Sequence, residues 1–150
     1  RLYRLLEGSF SPGWEYDLTG MTELMAGTLR SEVGAGAGFR VGFDLGRTFP
    51  TASLIPGRNV HPLITGPGHA WFAFVNLYAR YVFNDITLDG NYFSDSHSVE
   101  LTNEQALYSV GLAWQNSRWG VVASMQESSR TFEERKENTL FGSVSVTFRL

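Results

Sequence analysis

The sequence predicts an all-β fold, an antiparallel up-and-down transmembrane β-barrel of the outer-membrane type, and three observations predict it. First, Val33–Leu45 alternates strictly. Val33, Ala35, Ala37, Phe39, Val41, Phe43 and Leu45 share one face, and Gly34, Gly36, Gly38, Arg40, Gly42 and Asp44 share the other. A two-residue period marks a strand with two unlike faces. The length of the run suits a membrane strand, which needs about nine to eleven residues, better than an ordinary strand of about five or six. Second, the non-apolar face is mostly Gly, Ser, Ala, Thr and Gln, whereas the wet face of a soluble sandwich or lipocalin-like barrel is rich in Lys and Glu. Third, the apolar stripes carry aromatics near their ends: Trp71 with Tyr81 and Phe83, Tyr108 with Trp114, then Trp119. Aromatic girdles at both interfaces belong to outer-membrane barrels.

In chain order, Leu2–Ser9 alternates poorly and is the weakest strand. Pro12-Gly13 and Thr19-Gly20 are turn signals, followed by a strand over Met21–Arg30. After Val33–Leu45, the four prolines Pro50, Pro56, Pro62 and Pro67 make Arg47–His69 a loop. Trp71–Phe83 is apolar at every odd position, while Asn76, Tyr78 and Arg80 interrupt the even face. Tyr108–Gln115 and Trp119–Gln126 alternate on either side of the turn signal Asn116-Ser117, and Ser143–Leu150 closes the chain with the aromatic Phe148. No helix pattern of useful length appears.

Net charge is −3 with mixed signs, 43% of residues are hydrophobic and 18% charged. That excludes a disordered chain and lacks the clustered basic residues of a nucleic-acid surface. With no cysteine, disulfides and thiolate metal sites are excluded. No apolar run reaches the length of a membrane helix, so a membrane role rests on strands. About seven strands are legible, whereas single-chain bacterial barrels have even numbers and an open sheet in lipid leaves backbone groups unpaired. With Arg1 at the start and no signal peptide before it, residues 1–150 are expected to be the C-terminal part of one barrel domain whose N-terminal strands lie elsewhere.

The segment LDGNYFSDSHSV (Leu88–Val99) and the ending TFEERKENTLFGSVSVTFRL (Thr131–Leu150) resemble the C-terminal region of the LpxR-type lipid A deacylases. The matching features are Arg130, Phe132-Glu133 and Phe141-Gly142-Ser143, with WEYDLT (Trp14–Thr19) and GAGAGFRVG (Gly34–Gly42) fitting upstream. Leu150 departs from the aromatic usual at the last position. The resemblance implies an outer-membrane barrel of about twelve strands, an even count as such barrels have. It further implies hydrolysis of the ester that holds the 3′-acyloxyacyl group on lipid A, with lipopolysaccharide in the outer leaflet as partner. The family's catalytic set is an Asn-Asp pair, a hydroxyl residue and a His with a nearby Glu, all in the N-terminal half. No residue here equates with that His, so no catalytic residue is identified in this chain. The residues fix no cofactor; the resemblance adds a divalent cation such as Ca²⁺ as an expectation.

Asp95-Ser96-His97 invites a triad reading, but successive residues of an extended chain point to opposite faces, whereas a triad needs convergent side chains. A hydrogen-bonded turn explains the motif better. Asp89, Asn91, Asp95, His97 and Arg130 remain candidates for lipid head-group or metal contact on extracellular loops, since carboxylate and imidazole suit divalent cations and Arg suits phosphate. Glu127, Arg130, Glu133, Glu134, Arg135 and Lys136 form a charged hairpin tip, ordinarily a solvated loop. Arg40, Asp44, Asn76 and Arg80 lie on the even faces and are expected to form a polar network in the lumen, because narrow barrels are filled by side chains. His61 and His69 sit in the Pro-rich loop without a pattern.

Three functions compete: a lipid A ester hydrolase to which this chain contributes a catalytically silent part, a non-enzymatic outer-membrane pore or scaffold, and a soluble lipid-binding barrel. An even-stranded barrel returns its C-terminus to the periplasm. Asn116-Ser117 is therefore expected in a periplasmic turn, with Tyr92–Gln105 and Phe132–Thr139 outside the cell.

Overall fold

The computed structural model describes residues 2–47, 68–85, 103–129 and 139–148. Seven strands carry them: β1 (Leu2–Ser11), β2 (Trp14–Met25), β3 (Arg30–Phe43), β4 (Ala70–Asp85), β5 (Glu104–Gln115), β6 (Trp119–Ser128) and β7 (Thr139–Phe148). Each pairs antiparallel with the next, giving one sheet in the order β1 to β7. Lengths run from 10 to 16 residues, the span a tilted membrane strand requires. Among the described residues β1 and β7 are the two edges, and β7 exposes its outward face while Thr139, Ser143, Ser145 and Thr147 on the other are half-buried.

Two sequence expectations are corrected. Thr19-Gly20 is not a turn. β2 begins at Trp14 and runs straight through it, pairing Thr19 with Gly38 and Gly20 with Ala37. The reason lies in the alternation before it: Asp17, Thr19 and Met21 all face inward and are buried, so a turn there would break a working strand. The reversal into β3 comes later, at residues 26–29, inside the stretch read as strand. There Gly27 N–H donates to Ser31 Oγ at 3.2 Å and the Ser31 hydroxyl donates back to Gly27 O at 2.9 Å. The second correction concerns Leu45, placed with the outward apolar series. β3 stops at Phe43, and Asp44 adopts φ 58°, a left-handed conformation that Asp tolerates better than most L-residues. Leu45 thereby swings inside, 3% exposed, at the start of a short 3₁₀ turn, Leu45–Arg47.

The inner face is filled by a small-to-large fit between β3 and β4. Gly34 and Gly36 lie under the Tyr78 ring, and Gly42 lies against Phe72. A Cβ on Gly42 would press on the Trp71 carbonyl and the Phe72 main chain, so relief requires β4 itself to move. Gly42→Ala is therefore expected to cost about 1–3 kcal/mol, as overpacking does. Gly142→Ala, where an added Cβ meets nothing within 4 Å, should be neutral or slightly stabilising, because glycine loses more backbone entropy on folding. Denaturant midpoints of the two refolded variants check this, and equal shifts would refute the packing account.

Candidate functional site

Because the side chains alternate, the sheet presents two surfaces of different chemistry. On the concave side a polar network runs from strand to strand. Arg40 of β3 is 1% exposed and pairs with Asp17 of β2, its register partner. Its Nε donates to Asp17 Oδ1 at 2.9 Å and its Nη2 to Oδ2, a bidentate arrangement that adds geometric specificity to the charge pairing. The guanidinium also lies 5.2 Å from the centre of the Phe72 ring. Beside it Asn76 Nδ2 donates to Ser109 Oγ at 3.0 Å, both residues buried.

Towards the β2–β3 turn the network becomes charged. Glu32 is buried and bridges Arg30, at 2.6 Å, and Arg80, at 3.7 Å. Arg80 Nε donates to Gln105 Oε1 at 2.8 Å, and the Tyr78 hydroxyl donates to Glu23 Oε2 at 3.2 Å. Gly34 stands between Glu23 and Arg80 in the register, and its missing side chain leaves the space these groups cross. At the other end of the concave face Leu45, Phe72, Phe74, Ala113 and Val122 form one buried apolar cluster, beside a cavity of about 320 Å³ whose lining includes Arg4, Glu7, Glu15 and Asp17.

The convex side is apolar. Phe39, Val75, Leu77, Val110, Leu112, Met125, Val144 and Val146 are exposed there. Trp14, Phe43, Trp71 and Trp114 stand in one register row, with Trp14 and Trp71 edge to face at 4.9 Å and Trp119 against Phe148 at 4.6 Å one row away. Tyr81 and Phe83 make a second belt, centroids 5.1 Å apart. Trp71 and Tyr81 are ten residues apart on β4, about 33 Å along a strand. At the usual tilt that is roughly the 25 Å height of a barrel's apolar band. Near the second belt a groove of about 930 Å³ is lined by Leu24, Val33 and Tyr81 and also by Glu23, Arg80 and Glu104.

Of the residues singled out in the sequence, Arg40, Asn76 and Arg80 lie on the concave face. Arg40 and Asn76 belong to adjacent pairs, and Arg80 to the charged end. Asp44 falls just past β3, where its N–H donates to Gly13 O at 2.9 Å. Asp89, Asn91, Asp95, His97 and Arg130 lie outside the described residues. Sequence reasoning missed Asp17, Glu32 and Ser109, the partners that satisfy the chosen residues. The alternation Glu15, Asp17, Thr19 in WEYDLT is the signal that marks the first of them. His69 is exposed just before β4. Among the described residues no group of three His, Cys, Asp or Glu side chains gathers to hold a metal ion.

An up-and-down sheet with long tilted strands, a polar inside and an apolar, aromatic-belted outside defines an outer-membrane β-barrel. The chain belongs to the LpxR family: the family model described as outer membrane protein LpxR matches residues 1–150. It is similar in structure to LpxR from Salmonella typhimurium, with a TM-score of 0.72 at 17% identity, over 99% of this chain and 49% of that one. The chain thus spans about half the length of that solved relative. No curated protein matches the sequence.

Proposed function

We propose that this chain is part of an outer-membrane lipid A deacylase, an ester hydrolase that removes the 3′-acyloxyacyl group, and that it supplies barrel wall rather than reacting groups. The observation that carries the reading is the match of the LpxR family model to residues 1–150. The membrane-facing groove beside the Tyr81 belt supports it, since the acyl chains of an outer-leaflet lipid run along this surface. The tight turns at Gly13 and Asn116 fall at the same end of the meander, and we place that end in the periplasm, where such barrels keep their short turns.

Ester hydrolysis needs an activated nucleophile or water, a base and an oxyanion stabiliser, all within about 3 Å of the reacting atoms. The concave network offers none of these in reactive form. Arg40 holds Asp17, Arg30 and Arg80 hold Glu32, and Tyr78 and Gln105 complete the set. These groups neutralise one another, so their work is to fill and fix the lumen. Asp89, Asn91, Asp95, His97 and Arg130 are proposed as contacts for phosphate head groups or for a divalent cation such as Ca²⁺, and no chemical step is assigned to that ion.

The test is mass spectrometry of lipid A from cells making the full-length protein that contains this chain. The expected result is loss of the 3′-acyloxyacyl mass. Unchanged lipid A, with the protein folded in the outer membrane, would favour a non-enzymatic pore or scaffold. The 150-residue chain refolded alone in detergent is expected to be inactive. Deacylation by it that His97→Ala abolishes would put the reaction in this chain.

A further inference from the structure

The convex face is not level. Thr22, Ala35, Ala79 and Ala106 form one register row across β2 to β5, and all four are exposed. Their small side chains make a floor lower than the rows beside it. Leu24, Val33, Tyr81 and Glu104 stand along one side, and Leu77 with Tyr108 along the other. The groove of about 930 Å³ over this floor is continuous with a second of about 560 Å³, since Ala35, Ala79, Ala106 and Ser129 line both. The tyrosine walls are pinned. Asn103 Nδ2 donates to the Tyr81 hydroxyl at 3.1 Å, and the Tyr108 hydroxyl donates to Glu127 Oε2 at 2.5 Å. The strands that carry the floor, β2 to β5, each have a partner on both sides, so the groove does not depend on the edges of the sheet.

The two ends of the groove differ. Over β2 and β3 it is apolar, beside Leu24 and Val33. Over β5 and β6 it is polar. Ser129 Oγ accepts the Ala106 N–H at 2.8 Å, and the convex rows on either side of this pair hold Glu104 and Glu127. Among the described lining residues the one cation is Arg80, and its guanidinium is turned to Glu32 and Gln105 on the concave face. The polar end therefore offers carboxylates, which complement an ammonium group and repel an anion. An acyl chain suits the rest, because the convex surface meets hydrocarbon and a space left unfilled there forfeits dispersion contacts.

We infer that this groove is a binding site for a glycerophospholipid with an ammonium head group, one acyl chain lying along the row from Ala106 to Thr22 and the head meeting the end that carries Glu104 and Glu127. Walls fixed in advance lower the ordering cost of binding, and charge-assisted hydrogen bonds to the carboxylates select the head. The inference rests on the bilayer contact of the convex face and not on the deacylase reading, so lipid A analysis and the following measurements fail or succeed separately.

The test uses the full-length protein, stripped of lipid in detergent and titrated with phosphatidylethanolamine or with phosphatidylglycerol of the same acyl chains. Native mass spectrometry counts the lipid retained, and heat-modifiable migration on gels verifies folding. Wild-type protein is expected to retain phosphatidylethanolamine at roughly tenfold lower concentration than phosphatidylglycerol, a ratio that one hydrogen bond to a charged group can supply. Glu104→Gln/Glu127→Gln should abolish that preference. Ala79→Leu, which raises the floor, should abolish retention of both lipids. Ala123→Leu, the same change on the convex face of β6 outside the groove, should leave retention as in the wild type. Equal retention of the two lipids by the wild type, an unchanged preference in the double variant, or full retention by folded Ala79→Leu would each overturn the site. A second copy of the protein in place of lipid, or displacement of phosphatidylethanolamine by an equal amount of lipid A, would give the groove to a different occupant and overturn it as well.

Discussion

Asp17→Ala is expected to lower the stability of the folded protein by about 3–5 kcal/mol, the cost of removing one partner from a buried ion pair. Arg40 is 1% exposed and Asp17 4%, so neither charge has bulk water to fall back on. With the carboxylate gone, the guanidinium keeps its full charge, since Arg does not deprotonate in proteins. It also loses the two-pronged acceptor it now grips through Nε and Nη2. Arg40→Ala should cost a similar amount by stranding Asp17, and it also removes the cover over Phe72.

Removing both charges together should cost far less. Asp17→Leu with Arg40→Met replaces the pair by apolar side chains of comparable bulk, a change that is often neutral in a buried setting. A double-mutant cycle built from Asp17→Ala, Arg40→Ala and the Asp17→Ala/Arg40→Ala double variant, read from denaturant midpoints with the girdle tryptophans as fluorophores, isolates the coupling. Added salt should change the single-variant penalties little, because a buried pair is screened far less than a surface one. An Asp17→Ala loss below about 1 kcal/mol, the range of an exposed pair, would mean that water reaches Arg40 and that the lumen is wetter at this level than the packing implies.

This pair also marks where sequence reading succeeds and stops. A period of two assigns each residue to a face without knowledge of its neighbours, which is why Arg40, Asn76 and Arg80 could be placed on one side of their strands. Partners are a different matter, because they depend on register, and register depends on where the preceding turn falls. Reading Thr19-Gly20 as a turn removed Asp17 from β2 and left Arg40 without its acceptor. The true reversal at residues 26–29, held by Gly27 and Ser31, aligns Asp17 with Arg40. Leu45 fails for another reason. Alternation continues through it in the sequence, but one positive φ at Asp44 sends it to the opposite side, and no pattern of apolar residues encodes a single dihedral angle. The residues around His97 carry the most specific family motif and no periodicity at all. Their resemblance was legible, whereas their geometry was not.

The convex face gives the second large effect. Val110 sits mid-way along β5, 45% exposed, in a register row with Val75 and Met125. The row lies between the Trp71–Trp114 belt and the Tyr81 belt, at the level of the bilayer centre. Val110→Arg is expected to destabilise the membrane-folded protein by about 2–4 kcal/mol, the cost of a cation on the lipid face near the midplane. The preceding residue provides the contrast. Ser109 points inward, 7% exposed, and accepts the Asn76 amide at 3.0 Å, so Ser109→Arg crowds the lumen and strands a buried donor. The two penalties have different origins and should respond differently to the surroundings. The Val110→Arg cost comes from lipid and should shrink in small detergent micelles, where water comes closer to the convex surface. The Ser109→Arg cost comes from packing and should be the same in both media. Unfolding titrations of each variant in bilayers and in micelles separate the two. If Val110→Arg is tolerated in bilayers while Ser109→Arg shows the medium dependence, the two faces are assigned the wrong way round, because then position 109, not 110, is the one that meets lipid.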